Sequence, residues 1–190
     1  FIYDTSTFFL RSTTMAITGT YNLDPAHSSI GFTVRHAMVT KVRGEFTDFE
    51  ASLTIAENPS ESTASATVRT ASLDTRNEER DAHVRGEDFF AVEQYPEMTF
   101  TATSFDIDAA GNGTVTGDLT IKATTKPVTF GVETFGVEED PFGNTRIGFE
   151  ANTTINRTEY GIDFQAPLNS GGMLVGENVG IEIEGSAIKQ

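Results

Sequence analysis

The sequence predicts an all-β fold carrying one short helical insert, and three observations predict it. Apolar and polar residues alternate from Tyr21 to the C-terminus, turn-forming residues separate the alternating runs, and the period becomes helical only over about 76–93. At 190 residues the chain fits one domain with a substantial core. No internal repeat, low-complexity tract or linker divides it.

The strands follow in order. Ile30, Phe32, Val34 and His36 share one face, with Ser29, Gly31, Thr33 and Arg35 on the other. Phe49, Ala51, Leu53 and Ile55 repeat the pattern after Gly44. Phe46 is out of phase with them, which predicts a bulge near Thr47 and Asp48. Ala64, Ala66 and Val68 make a lighter face, and Gly117 sits between Val115 and Leu119, so small residues would leave interior room. Further runs are Met98-Phe100-Ala102, 115–121, Val128-Phe130-Val132, Ile147-Phe149-Ala151 continuing to Ile155, and Val179-Ile181-Ile183-Gly185. Turn chemistry at Asn58-Pro59, Gly111-Asn112-Gly113 and Asp140-Pro141-Phe142-Gly143 separates several of them. Such a series indicates a sandwich or an up-and-down barrel. About eight strands is the count at which a closed barrel encloses one small ligand.

The helical stretch has its own signals. Thr75 and Glu78 have capping-box spacing, and Gly86 is placed to end the helix. A second short turn carries Asp88-Phe89-Phe90 and stops before Tyr95-Pro96. One amphipathic insert of this kind is suited to cap a barrel mouth. At the other extreme, residues 1–14 read as an extension outside the fold, which is expected to span 15–190. Asp4 and Arg11 flank the short Phe8-Phe9-Leu10 cluster and no small-residue cleavage site follows, so the segment does not read as a signal peptide. The expected address is the cytoplasm.

A formal charge of −15 bounds the partners. It disfavours nucleic-acid phosphates and simple adsorption to anionic lipid, and its plain role is solubility. The absence of cysteine excludes disulfides and thiolate metal sites. No apolar run reaches the length that spans a bilayer.

Candidate chemistry is sparse. The three histidines, His27, His36 and His83, come from separated elements and lack the tight spacing of a metal motif, so hydrogen-bonded side chains are expected rather than a zinc site. In the polar cluster 76–83, Arg80 shares a helix face with His83 and Glu79 reaches His83 at four residues. Cast as a general base, His83 would make the chain an enzyme. No nucleophile or oxyanion-hole motif accompanies it, and an ion-paired helix tied to a barrel rim is the plainer reading.

Several pieces in order resemble the YceI family of lipocalin-like, polyisoprenoid-binding proteins. They are Tyr21-Asn22-Leu23-Asp24-Pro25-Ala26-His27-Ser28 with Phe32-Thr33-Val34-Arg35-His36, then Val42-Arg43-Gly44-Glu45-Phe46. Thr75, Asn77 and Arg80-Asp81-Ala82-His83 follow, with Asp88-Phe89-Phe90 and Tyr95-Pro96. Gly117-Asp118-Leu119-Thr120-Ile121, Thr125-Lys126-Pro127-Val128 and Asn156-Arg157-Thr158-Glu159-Tyr160-Gly161 complete the series. The resemblance covers nearly everything after Gly19.

What it implies is a single antiparallel, lipocalin-like barrel of about eight strands that binds a long-chain isoprenoid or isoprenoid quinone, for carriage or storage, and is not an enzyme. The expected apolar wall is Phe32, Val34, Phe46, Val84, Phe89, Phe90, Phe100, Phe130 and Phe149. The expected polar rim is His36, Arg80, His83 and Arg157. The bound lipid is the only ligand expected, with no separate cofactor and no metal. An exposed strand or apolar patch gives such a barrel a route to a homodimer. Two other readings stay open: a non-catalytic stress-response barrel holding another amphiphile, and a small-substrate enzyme using His83.

Overall fold

Val, Ile, Phe and Thr, alternating with polar residues, bury one face efficiently only when paired into a sheet. The computed structural model describes residues 17–166, 168 and 174–190; the expected extension 1–14 and the start of the fold at Met15 lie outside them. The strands are β1 (Gly19–Leu23), β2 (Ser29–His36), β3 (Thr40–Phe46), β4 (Phe49–Ile55), β5 (Thr63–Arg69) and β6 (Leu73–Asp74). After the helix α1 (Glu78–Arg85) come β7 (Glu97–Ile107), β8 (Asn112–Ile121), β9 (Thr124–Glu139), β10 (Thr145–Asn156) and β11 (Val175–Lys189). Among the described residues, no helix is long and apolar enough to cross a membrane.

All pairings are antiparallel, and the ring runs β1-β4-β5-β7-β8-β9-β10-β11 before closing through β1–β11. The fold is a closed eight-strand barrel, which decides between sandwich and barrel. Beyond the ring, β2 continues along β11 and β3 pairs with β2. Asn22 opposite Ser52 and Ile30 opposite Phe46 show one long hairpin, bent in the middle. The irregularity expected near Thr47 and Asp48 is that bend. There the Thr47 amide donates to the Ser72 carbonyl and hydroxyl, while the Arg69 amide donates to the Asp48 carbonyl. Two residues spent on the bend restore the phase, so Phe46 and Phe49 are both buried, at 5% and 7% exposure.

Among the described residues, the far edge of β3 is paired only at its end, through Glu45–Asp74 and Phe46–Leu73 with β6. The helical insert stands beside that edge. Val84 and Phe90 pack against both large core clusters, one around Ile30, Phe46, Phe49, Val68 and Leu73, the other around Leu119, Ile121, Val128, Phe130 and Tyr160. A third, smaller cluster of Tyr21, Ile147 and Ala187 fills the opposite end.

Two expectations about small residues and caps need correction. Gly117 leaves no room of its own, because a Cβ there would lie 2.5 Å from the Phe100 ring and 2.5 Å from the Thr101 carbonyl. Phe32 covers Gly44 and Phe149 covers Gly185 in the same way. A cross-strand aromatic takes the space that the missing side chain gives. The helix cap also differs: the Asn77 side chain, not Thr75, accepts from the Arg80 amide, and Thr75 turns inward to Asp81. Gly86 does end the helix, with an ordinary φ of −77° rather than a left-handed one.

At the barrel end away from α1, Arg146 joins two turns. Its Nε donates to Asp140 at 2.7 Å and its Nη1 to Asp24 at 2.8 Å. Asp24 also meets His27 at 2.7 Å. The Arg146 hydrogen bond, then the Asn144 amide, lower the Asp140 pKa from the ordinary 3.8 to about 2. Arg146 and then His27 lower that of Asp24.

Two outcomes follow from these contacts. Gly117→Ala should destabilise by about 1–3 kcal/mol in urea unfolding, because the Phe100 ring and a strand backbone both obstruct the new methyl. Asp140→Asn should lower the thermal midpoint at neutral pH. A carboxyl whose folded pKa is depressed stabilises above its unfolded pKa, so the difference from the parent should shrink as pH falls from 3.8 to about 2.

Candidate ligand-binding interior

The side of each strand that carries the buried core residues faces the barrel axis. Of the nine expected wall residues, Phe46, Phe89 and Phe130 are buried, and Phe32, Val34, Val84, Phe90, Phe100 and Phe149 are half-buried. Phe32, Phe46 and Phe90 form one aromatic group, with ring centroids 5.4 and 5.8 Å apart. Phe100 and Phe130 form another, edge to face at 5.2 Å. Phe89 joins Phe164 at 5.2 Å. Val34 and Phe149 stand apart from both large clusters; Val34 lies between Val42 and Val179, and Phe149 over Gly185.

Midway along the barrel several inward positions are small. Ala51 is opposite Ala66, and Ala64 is opposite Leu53. Ala51, Ala64, Ala66, Ala102 and their inward neighbours Phe100 and Phe149 are only half-buried. They are less buried than the neighbouring Phe130 and Ala151, at 7% and 8% exposure. Two grooves, of about 380 and 480 Å³, lie along the wall. The first is lined by Asn22, Glu50, Ser52 and Thr67 together with Ala51 and Ala66, the second by Lys126, Thr129 and Thr153 together with Val128 and Tyr160.

The four expected rim residues do not form one site. Arg80 is held by Thr75, its Nε donating to the hydroxyl at 2.8 Å and its Nη2 to the carbonyl at 2.7 Å. Buried Asp81 accepts from the Thr75 amide at 2.9 Å and from its hydroxyl, completing the cluster that fixes the start of α1. Arg85 binds the carbonyls of Ala71 and Leu73 and fixes its end. Among the described residues, Arg80 is thus held by Thr75 oxygens and not by the carboxylates of Glu79 or Asp81.

Arg157 departs furthest from a rim cation. Only 4% exposed, it donates to the carbonyls of Gly176, Ile162 and Val175 at 2.8, 2.7 and 3.2 Å. Burial lowers its pKa, against the opposing charges of Glu177 and Asp163. The guanidinium thus fastens the chain after β10 to the start of β11. His36 is exposed at the end of β2.

His83 alone of the four meets the aromatic cluster while remaining half exposed. Its ring lies edge-on to Phe89 and Phe164 at 5.1 and 5.0 Å. Its Nε2 meets Asp88 at 2.8 Å, so Asp88 replaces Glu79 as the carboxylate partner. The turn after Gly86 brings Asp88 back to the helix, a contact invisible to helical spacing. Among the described residues, no three His, Asp or Glu side chains are grouped to hold a metal ion.

Phe164 and Ile162 were not in the expected wall. They follow β10 in a segment without alternation, so no periodic signal marks them. Met98, Leu119, Ile121 and Val128 belong to the alternating faces already read, and register places them in or against the same core.

The model of the YceI-like domain matches residues 21–187. The chain belongs to the YceI family. A UPF0312 protein of Staphylococcus epidermidis is 41% identical over 164 residues, covering 85% of this chain and 93% of that protein. One from Photorhabdus laumondii is 39% identical over 163 residues, 84% of this chain and 83% of that one. Among solved structures, the Campylobacter jejuni YceI protein superposes with a TM-score of 0.69 at 31% identity, covering 88% of this chain and 96% of that one. Burkholderia cenocepacia BcnA has the same fold, with a TM-score of 0.75 at 22% identity over 86% and 98% of the two chains. A polyisoprenoid-binding domain from Saccharophagus degradans also shares it, with a TM-score of 0.64 at 13% identity over 90% and 98%.

Within this YceI fold, Arg157→Met keeps the apolar stem but removes three donors from buried carbonyls. It should cost about 1.5–3 kcal/mol in denaturant unfolding. Hydrogen exchange should rise around Ile162 and Val175 more than in β8.

Proposed function

We propose that the barrel binds the tail of a long-chain isoprenoid or isoprenoid quinone in its interior, to carry or store it, and catalyses no reaction on it. The observation that carries this reading is the inward belt of small and aromatic side chains that is left half-buried at mid-barrel. A polyprenyl tail consists only of hydrocarbon, and its removal from water contributes about 25 cal/mol per Å². The Saccharophagus degradans neighbour, described as a polyisoprenoid-binding domain, offers the same architecture to such a ligand.

The polar groups favour a neutral head group. Arg80 and Arg157 already bind protein oxygens, and the formal charge of −15 opposes a pyrophosphate. His83 and Asp88 are the polar pair beside the aromatic cluster, suited to hydrogen-bond a quinone carbonyl or an alcohol. No resident cofactor enters this reading.

Native mass spectrometry of the purified chain, with extraction of what accompanies it, tests the proposal. An isoprenoid at about one molecule per chain is the expected result. An empty protein whose melting temperature does not rise with added quinone would favour a barrel without such a ligand. Ala66→Leu, which fills the mid-barrel, should cut retained lipid more than about tenfold while keeping the fold. His83→Ala should leave the tail bound, whereas loss of a turnover on added substrate would revive the enzyme reading.

A further inference from the structure

The hairpin of β2 and β3 has a charge opposite to that of the molecule. From Arg35 to Arg43 it carries Arg35, His36, Lys41 and Arg43 and no acid, in a chain of formal charge −15. All four side chains are exposed. Its turn presents two apolar side chains to solvent, Met38 at 64% and Val39 at 74% exposure. The tip is thus apolar with a basic collar.

Stability does not explain this cluster. Arg35 stands directly opposite Lys41, and like charges in that relation disfavour a strand pair. Cations on an edge strand do discourage unwanted pairing, which would account for Lys41 and Arg43 on β3. That leaves Arg35, whose strand is paired on both sides, and the exposed Met38 and Val39. The acids nearby lie to one side: Glu177 follows Gly176, which packs on Arg35, while Glu45 and Glu182 flank Gly31 further down. The hairpin also leaves the barrel at the end where β10 stops and α1 stands.

We propose that this hairpin docks the barrel end-on to an anionic lipid bilayer, with Met38 and Val39 entering the interface and Arg35, Lys41 and Arg43 meeting the headgroups. Such cations are attracted to an anionic surface, and screening over about 8 Å weakens the repulsion from acids on the far parts of the barrel. Whole-molecule repulsion would then orient the encounter rather than prevent it. The proposal deepens the carrier reading and rests on it for its purpose: the cargo's tail lies in bilayers, and docking this end brings the barrel to its source.

Flotation of the full chain with phosphatidylglycerol–phosphatidylcholine vesicles, compared with pure phosphatidylcholine, is the test. Binding should require phosphatidylglycerol and weaken with salt. The double variants Lys41→Glu/Arg43→Glu and Met38→Ser/Val39→Ser should each reduce it more than about tenfold, with melting temperatures near the parent's. No preference for anionic vesicles, or variants that float like the parent, would overturn the docking. Cargo is measured separately on the same proteins. Docking without isoprenoid would remove the carrier reading alone, and isoprenoid without docking would remove this proposal alone.

Discussion

β1 has to satisfy two neighbours at once, and the barrel exists only because it does. Five residues long, it pairs with β11 through Tyr21–Lys189 and with β4 through Tyr21–Leu53. The short strand can hold that place because Tyr21 is fully buried, with its hydroxyl donating to the Ile17 carbonyl at 2.8 Å. The ring supplies apolar area while the hydroxyl keeps its hydrogen bond, a combination that Phe could not reproduce. Closure abolishes the edges at that level, and with them a route for water into the interior.

Above the ring the same two-neighbour condition fails, and the helical insert answers it. β2 keeps β11, but among the described residues β3 finds only the two residues of β6. α1 fills this side by lending Val84, and the turn after it lends Phe90, to both core clusters. Eight residues of helix with four charges on its first seven positions make a weak hydrophobic element by themselves. Arg80 and Arg85 therefore do structural work through carbonyls, and Asp81 does it through Thr75. Arg80, which the family resemblance places on the ligand rim, is one of the residues this insert needs to stay in place.

How legible this was in the sequence depends on whether a feature is local. Alternation marked the inward strand faces that carry Phe32, Phe46, Phe100 and Phe130, and the phase jump between Phe46 and Phe49 marked the bend, because both are readable within a few residues. The partner of Tyr21 is not local: Lys189 lies at the other end of the chain. Nor is the fate of a cation. Arg157 looks like a rim residue until the chain at Ile162, Val175 and Gly176 folds over it. Small residues misled for the same reason, since Gly117 is empty in sequence and covered in space by Phe100. The family resemblance carried the closed barrel, which periodicity left open against a sandwich.

The placement of Phe rings over Gly links the core to the proposed cargo. The far ends of the Phe32, Phe100 and Phe149 rings occupy the space that a side chain at Gly44, Gly117 and Gly185 would need. The glycines thus let these three rings seat against the sheet, where a side chain would displace them. They also make the wall smooth, with no polar atom presented by the side chains involved. Under the proposed function, a surface of that kind would distinguish poorly between isoprenoid units and would leave selection to the polar groups where His83, Asp88 and Phe164 meet. Chain length would then be limited by the small closing cluster of Tyr21, Ile147 and Ala187 at the far end.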